Sequence, residues 1–315
     1  MDDKYLYKVN KINLYNISSC SKKLSFAEEQ KICELAEIAE GVSEFIRSML
    51  SDGLNPCEIF SILEEKVDFC DTSLIDVMSE NKERISLFLK TADFYDRAVF
   101  CTLLVEYLRN KKCFVSEKDF FDYQNFNETF VYVKNAFSDE AYDVFSQDFE
   151  DPRIRYAESF KEAIRLVTDD VVAFCLLPIE ERGVRLPTVE ELIFRSDSKI
   201  NSVIPVFGYD GNADLKYALV SKNVYISDYN EDDDRYFEIR VPLESDALSS
   251  VVGCAEALGV KVFRINTLNF KTEDGETGYF SVVLKSFRGD FTELLIFLTL
   301  FVPDFIPVGI YKNLE

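Results

Sequence analysis

Apolar residues recur at helical spacing near the start of the chain. Ile32, Leu35, Ala39, Val42, Phe45, Ile46 and Met49 fall on one stripe, which predicts an amphipathic helix over residues 25–52. Ser25 and Glu28 have capping-box spacing at its start, and Gly53 suits its end. Asn55-Pro56 predicts the first turn of a second helix, and helical periodicity continues over residues 71–89 and 94–110. The one strand pattern in residues 1–115 is the short Tyr5–Val9, so this part is expected to be an all-helical domain.

From residue 128 the pattern changes. Extended runs at Phe130–Val133, Ile154–Ala157 and Val171–Leu177 alternate with helical ones at 138–147 and 159–168, the latter opened by Ser159 and Glu162 at capping-box spacing. Such alternation predicts a parallel α/β sheet over residues 128–229. Thr188 and Glu191 predict the cap of a further short helix, and Val203–Phe207 and Tyr217–Ser221 two more strands. Pro178 is expected to end the strand before it. Ile179, Glu180, Glu181, Arg182 and Gly183 would then lie in a loop at the carboxyl end of the sheet, where open α/β folds bind ligands. Residues 230–234, four of them acidic, predict a solvated linker. From residue 235 onward the order is strand (236–241), helix (246–258), strand (260–270), strand (278–286), helix (290–301) and strand (306–311), with a turn at Glu273-Asp274-Gly275. That is the βαββαβ, ferredoxin-like order, so the whole chain reads as an α+β multidomain protein.

Composition narrows the chemistry. With 315 residues, 47% of them hydrophobic and including 28 Phe and 16 Tyr, the chain can fill more than one core. A formal charge of −22 argues against nucleic acid and anionic membrane as partners, since phosphates are bound by basic surfaces. There is no histidine, which removes the usual general base and the commonest metal ligand. The eight cysteines are never closer than 12 residues apart, so no Cys-x-x-Cys metal or redox pair exists, and they are read as inert core residues. No metal and no cofactor is expected. The amino terminus lacks a signal-peptide pattern, and the longest apolar run, Leu294–Val302 with Thr299 its one polar residue, has 9 residues, far below the ~20 of a membrane span. A cytoplasmic location is the expectation.

Three segments carry a family resemblance. Phe137-Ser138-Asp139-Glu140-Ala141, Glu158-Ser159-Phe160-Lys161-Glu162-Ala163-Ile164 and Leu177-Pro178-Ile179-Glu180 occur in an order and spacing that resembles the first lobe of the prephenate dehydratases. The loop of that family reads Pro-Ile-Glu-Asn-Ser followed by glycine. The βαββαβ unit is similar to the ACT domain, a small-molecule sensor that follows the dehydratase in this family and typically binds phenylalanine. Together the resemblance spans residues 129–311. In bifunctional members a helical chorismate mutase comes first, and residues 63–81 look like its first helix, with aspartates at 68 and 71. The two arginines that grip chorismate in the mutases fall at Glu64 and Asn81 here, so mutase activity is not expected.

The departures from the family pattern fall on the groups that do the chemistry. Dehydration and decarboxylation of a dicarboxylate need cationic and hydroxyl groups. The family's Thr-Arg-Phe corresponds to Leu215-Lys216-Tyr217, and leucine has no proton to give while lysine lacks arginine's bidentate fork. Gly-Thr-Phe-Ser corresponds to Asn135-Ala136-Phe137-Ser138, and Asn-Ser to Glu181-Arg182. Between Gly183 and Leu215 only 31 residues remain, where the family places its whole second lobe. A compact lobe takes on the order of 50 residues or more. In the sensor-like unit, Gly-Ala-Leu corresponds to Asp246-Ala247-Leu248 after Ser245, and Glu-Ser-Arg-Pro to Asn266-Thr267-Leu268-Asn269.

Each candidate also has a plain structural reading. Ser138 suits a helix cap. Glu180 suits a surface charge, and Arg182 a partner for Glu180 or Glu181. The apolar stripe Leu294, Leu295, Phe297, Leu298 and Phe301 suits core and a subunit interface.

The expectation is a helical domain (1–115), a reduced one-lobe α/β domain (128–229) and an ACT-like domain (235–315). The protein is expected to be a non-catalytic binding or regulatory relative of prephenate dehydratase. Its expected partners are a second copy, through the ACT-like unit, and an amino acid or other small metabolite at Ser245, Asp246, Ala247, Leu248, Asn266 and Thr267. The alternatives are an active dehydratase, with or without mutase, and a structural subunit of a complex.

Overall fold

The computed structural model describes residues 26–51, 54, 59, 91–121, 128–207, 215–225, 234–243, 247–272, 275–286, 290–302 and 304–312. The Tyr5–Val9 strand, the Ser25 and Gly53 helix boundaries, the helices read at Asn55-Pro56 and 71–89, and the mutase-like residues 63–81 lie outside the described residues. So do residues 230–233 of the linker, Ser245, Asp246, and Glu273 and Asp274 of the hairpin turn. The chain divides into two compact units, each built from distant stretches of sequence.

The first unit takes in residues 1–120, 241–263 and 290–305. Among the described residues its helices include α1 (Phe26–Ser51), α2 (Phe94–Asn110), α6 (Ala247–Ala257) and α7 (Thr292–Phe301). Leu35, Ala39, Val42 and Ile46 of the α1 stripe are buried, and α1 packs against α2. Asp93 caps α2 by accepting a hydrogen bond from the Asp96 N–H at 2.9 Å. Helix α2 also packs on α6 and α7. The Phe94 ring lies on Gly253 so closely that a Cβ there would meet the ring Cδ2 at 2.6 Å, which is why α6 has no side chain at that point. Helix α7 is mostly apolar and largely buried, with Leu294, Leu295, Ile296, Phe297 and Leu298 all inside. Its start is held by Glu117, which accepts the Phe291 N–H at 2.6 Å. The stripe read as core plus subunit interface is therefore core within the chain itself.

The second unit takes in residues 121–240, 264–289 and 306–315 and holds two sheets. The first contains β1 (Thr129–Tyr132), β2 (Arg153–Tyr156), β3 (Phe174–Glu181), β4 (Val184–Arg185), β5 (Lys199–Val206) and β6 (Leu215–Ser221). Its strand order is β2-β1-β3-β6-β5, with β4 paired to β3. Helices α3 (Ala136–Phe145), α4 (Phe160–Thr168) and α5 (Pro187–Arg195) cover it. Successive residues of β3 serve opposite faces. Phe174 and Leu176 join one core with Phe130, Ala141, Phe145 and Tyr217, whereas Cys175, Leu177 and Ile179 join another with Ala163, Ile164, Val189 and Ile193.

Three readings of this region are corrected. The sheet is mixed: β1, β2 and β3 are parallel, but β6 runs antiparallel to β3 and to β5. The β5–β6 connection leaves no room for the crossover that parallel strands need. Pro178 does not end β3, which continues to Glu181. The proline lies beyond the reach of β1, whose pairing with β3 covers only Phe174 and Cys175, and next to a bulge between Pro178 and Glu180. Thr188 is not a cap, since helix α5 starts with Pro187 at its first turn and has no side-chain cap hydrogen bond.

The second sheet has the order β10-β7-β9-β8, from β7 (Arg235–Pro242), β8 (Lys261–Thr272), β9 (Gly275–Ser286) and β10 (Ile306–Lys312). With α6 and α7 interposed in sequence, the elements follow the βαββαβ order read from the pattern. Strand β10 also packs against β5 of the first sheet, and Tyr236, Val283, Val308 and Tyr311 join the core that holds Val131, Cys175 and Ile200.

Candidate functional site

Three segments singled out by the sequence converge at the carboxyl ends of β1 and β3. The turn after β1 carries Asn135, Ala136, Phe137 and Ser138 into α3. The end of β3 carries Glu180 and Glu181. Strand β6 runs beside it, with Pro178 opposite Tyr217, Glu180 opposite Lys216 and Glu181 opposite Leu215. The Asn135 amide lies near enough to the Tyr217 hydroxyl to favour its ionised form, although burial dominates and pushes the phenol's pKa up.

The polar groups of this region are engaged with one another. Ser138 is buried, and its hydroxyl accepts the Asn135 N–H and lies 2.9 Å from the carbonyls of Val133 and Asn135. Asn135 in turn accepts the N–H groups of Phe137 and Ser138 at 3.0 Å, so the two side chains form a reciprocal capping box. Glu180 is buried and accepts a hydrogen bond from Arg264 of β8 at 2.9 Å, with the Lys216 ammonium 3.8 Å from its other oxygen. Glu180 is thus a paired internal charge and not the surface charge expected. Glu181 is exposed, and Arg182 and Gly183, with φ of 51° and 78°, make the tight turn of the β3–β4 hairpin. Phe137 stands partly exposed, while Leu215 and Lys216 are half-buried and Tyr217 is in the core.

Next to these residues lies a buried charge network that sequence reasoning missed. Arg185 of β4 donates to Glu238 of β7 at 2.6 Å and to Glu190 of α5 at 3.2 Å. Glu238 also accepts from the Tyr311 hydroxyl at 2.8 Å and the Ser281 hydroxyl at 3.2 Å. Arg240, 2% exposed, reaches Glu190 only at 3.5 Å, too long for a hydrogen bond. Its guanidinium lies 5.3 Å from the Phe194 ring and 5.7 Å from Phe270, whose rings stack at 4.0 Å.

Burial opposes every charge in this network, and the pairing decides which way each group moves. Burial would lower the pKa of Arg185, but Glu238, Tyr311 and Glu190 outweigh it and hold the guanidinium firmly charged. Burial would raise Glu238, but Arg185 and the Tyr311 hydroxyl bring it below the ordinary carboxylate value. For Glu190 burial wins over Arg185 and Arg240, and its pKa is raised. Burial likewise raises the Cys175 thiol, which suits an inert core residue. The sequence did hold a signal: Glu238 and Arg240 are two residues apart among the apolar Tyr236, Phe237, Ile239 and Val241, so both fall on one buried face.

Of the sensor-like positions, Ala247 and Leu248 open α6 and are half-buried. Asn266 and Thr267 alternate along β8, half-buried and exposed. Among the described residues no group of three or more Cys, Asp or Glu side chains has the geometry of a metal site, and no helix is long and apolar enough to cross a membrane.

No protein-family profile matches the sequence, and no curated protein does. Solved structures do. The chain is similar to a prephenate dehydratase from Streptococcus mutans, at 15% identity and a TM-score of 0.46, over 59% of this chain and 99% of that one. It is similar to a prephenate dehydratase from Arthrobacter aurescens in complex with L-Phe, at 14% identity and a TM-score of 0.44, over 58% of this chain and 90% of that one. It is also similar to GqqA, described as a novel type of quorum quenching acylase, at 16% identity and a TM-score of 0.43, over 59% of this chain and 95% of that one.

Proposed function

We propose that this chain is a non-catalytic relative of prephenate dehydratase that binds an amino acid or another small metabolite in the setting of aromatic amino-acid biosynthesis. The observation that carries this reading is the state of Glu180. In the loop whose sequence resembles the dehydratase site, its carboxylate is buried and bound by Arg264 and Lys216. A carboxylate that is buried and already paired with two cations is held as a structural charge, and its pairing competes with any contact to a substrate. The neighbouring groups agree: Ser138 is consumed by its capping box, Leu215 carries no proton, and Tyr217 sits in the core.

The βαββαβ strand order supports the ACT-like reading of residues 235–315, and the twelve-residue edge strand β8 is the place we assign to pairing with a second copy. Its exposed Ile265 would then be covered. The cytoplasm remains the proposed location. Incubating purified protein with prephenate and following phenylpyruvate absorbance tests the central point. No turnover is expected, and turnover at an enzyme-like rate would establish the active dehydratase instead.

A further inference from the structure

We infer that Arg240, Glu190 and the Phe194–Phe270 ring pair form a closed binding site for a free aromatic α-amino acid, which enters as Phe194 moves aside. The inference rests on the reading that the chain binds an amino acid, and assigns that ligand to a place distinct from residues 245–248 and 266–267.

Three buried polar atoms lead to it. Nε and Nη2 of Arg240 and Oε2 of Glu190 have no hydrogen-bond partner among the described residues. Buried polar groups are almost always hydrogen-bonded, and leaving charged ones unsatisfied is costly, so their persistence in one spot calls for a reason. Nε and Nη2 lie on the same side of the guanidinium and point in parallel, which is the fork that grips a carboxylate. Glu190 Oε2 stands 3.5 Å from Nη2 and can accept from an ammonium. Two parallel donors beside one acceptor are the complement of an amino-acid zwitterion, whose carboxylate takes the fork while its ammonium takes Glu190. Neither a simple carboxylate nor a simple amine satisfies all three atoms. The charges agree as well, since Arg185, Arg240, Glu190 and Glu238 sum to zero and a zwitterion leaves that sum unchanged.

The side chain of the ligand is specified by what lies over the fork. Phe194 stacks on Phe270 at 4.0 Å with an interplanar angle of 5°, and Tyr279 is 5.4 Å from Phe194. Phe270 is buried, whereas Phe194 is half-buried at the last turn of α5, followed by Asp197 at a φ of 50°. Phe194 is therefore the ring that can leave, and a ligand ring can take its place on Phe270 and beneath the Arg240 guanidinium.

Titration calorimetry on the full chain tests this with four probes. L-Phenylalanine is expected to bind. L-Alanine, 3-phenylpropionate and phenethylamine, which lack the ring, the ammonium and the carboxylate in turn, should each bind at least about tenfold more weakly, the loss of one good contact. Arg240→Gln should abolish L-phenylalanine binding. Phe194→Leu, which keeps all four charges and removes the competing ring, should tighten it several-fold. If L-phenylalanine binds wild type and Arg240→Gln alike, the amino acid sits elsewhere and this site is wrong while the binding function stands. If neither wild type nor Phe194→Leu binds it, the site is overturned whatever the prephenate assay shows.

Discussion

Gly309 of β10 lies against Ile200 of β5 so closely that a Cβ on the glycine would fall 1.8 Å from the Ile200 carbonyl oxygen. Both residues sit where their strands shift register, Ile200 at the β5–β6 shift and Gly309 at the β7–β10 shift. The two sheets thus meet edge to edge, backbone against backbone, which covers one edge of each.

Gly309→Ala is therefore expected to destabilise the protein by about 2 kcal/mol or more, because the obstacle is backbone and cannot rotate away. Urea denaturation would measure it. Gly183→Ala provides the contrast: its Cβ meets nothing within 4 Å, so only the strain of a φ of +78° opposes it, at roughly 1 kcal/mol. Equal losses at the two positions would mean that the β5–β10 approach is looser than described.

Arg185→Met removes the partner of two buried carboxylates and should cost roughly 3–5 kcal/mol. Pairing it with Glu238→Met should recover a good part of the loss, since the uncompensated charge disappears with its partner. A double-mutant cycle reads this coupling directly, and additive losses would show that the pair is not a unit.

Acid unfolding should separate Glu238 from Glu190. The pKa of Glu238 is lowered on folding, so its contribution is present above the ordinary glutamate pKa of about 4.3 and is lost as pH falls through the lower folded value. Glu190 is raised, so the folded state binds its proton more tightly and stability gains as pH falls from above its folded pKa towards 4.3. Glu238→Gln should flatten the acid limb of a stability-against-pH curve, and Glu190→Gln should flatten the opposite slope above 4.3. The same change of slope in both variants would contradict these directions.

Asn135→Ala should cost about 1 kcal/mol through loss of the α3 cap, with no change in L-phenylalanine affinity. A large affinity change would place this turn in a ligand site and count against its reading as a cap.

Much of the architecture was legible in the sequence because local pattern dictates it. The helix at 94–110, the alternation over 129–181 and the βαββαβ order after residue 235 follow from apolar periodicity, turn residues and caps, which act within a few residues. Where local signals misled, a distant neighbour decided. Pro178 reads as a strand end, yet β6 and β4 extend β3 past it. The alternation of strands and helices reads as parallel, yet β6 inserts antiparallel between β3 and β5.

The candidate site divides the same way. Sequence by itself singled out the segments around Ser138, Glu180 and Lys216, through their resemblance to the dehydratase pattern. Only the tertiary structure decided what those groups do, because burial and charge pairing depend on residues far apart in the chain. Glu180 meets Arg264 across 84 positions, and Arg185 meets Tyr311 across 126. No local pattern carries that information, since an ion pair is specified by where two strands come to lie and not by what surrounds either residue in sequence.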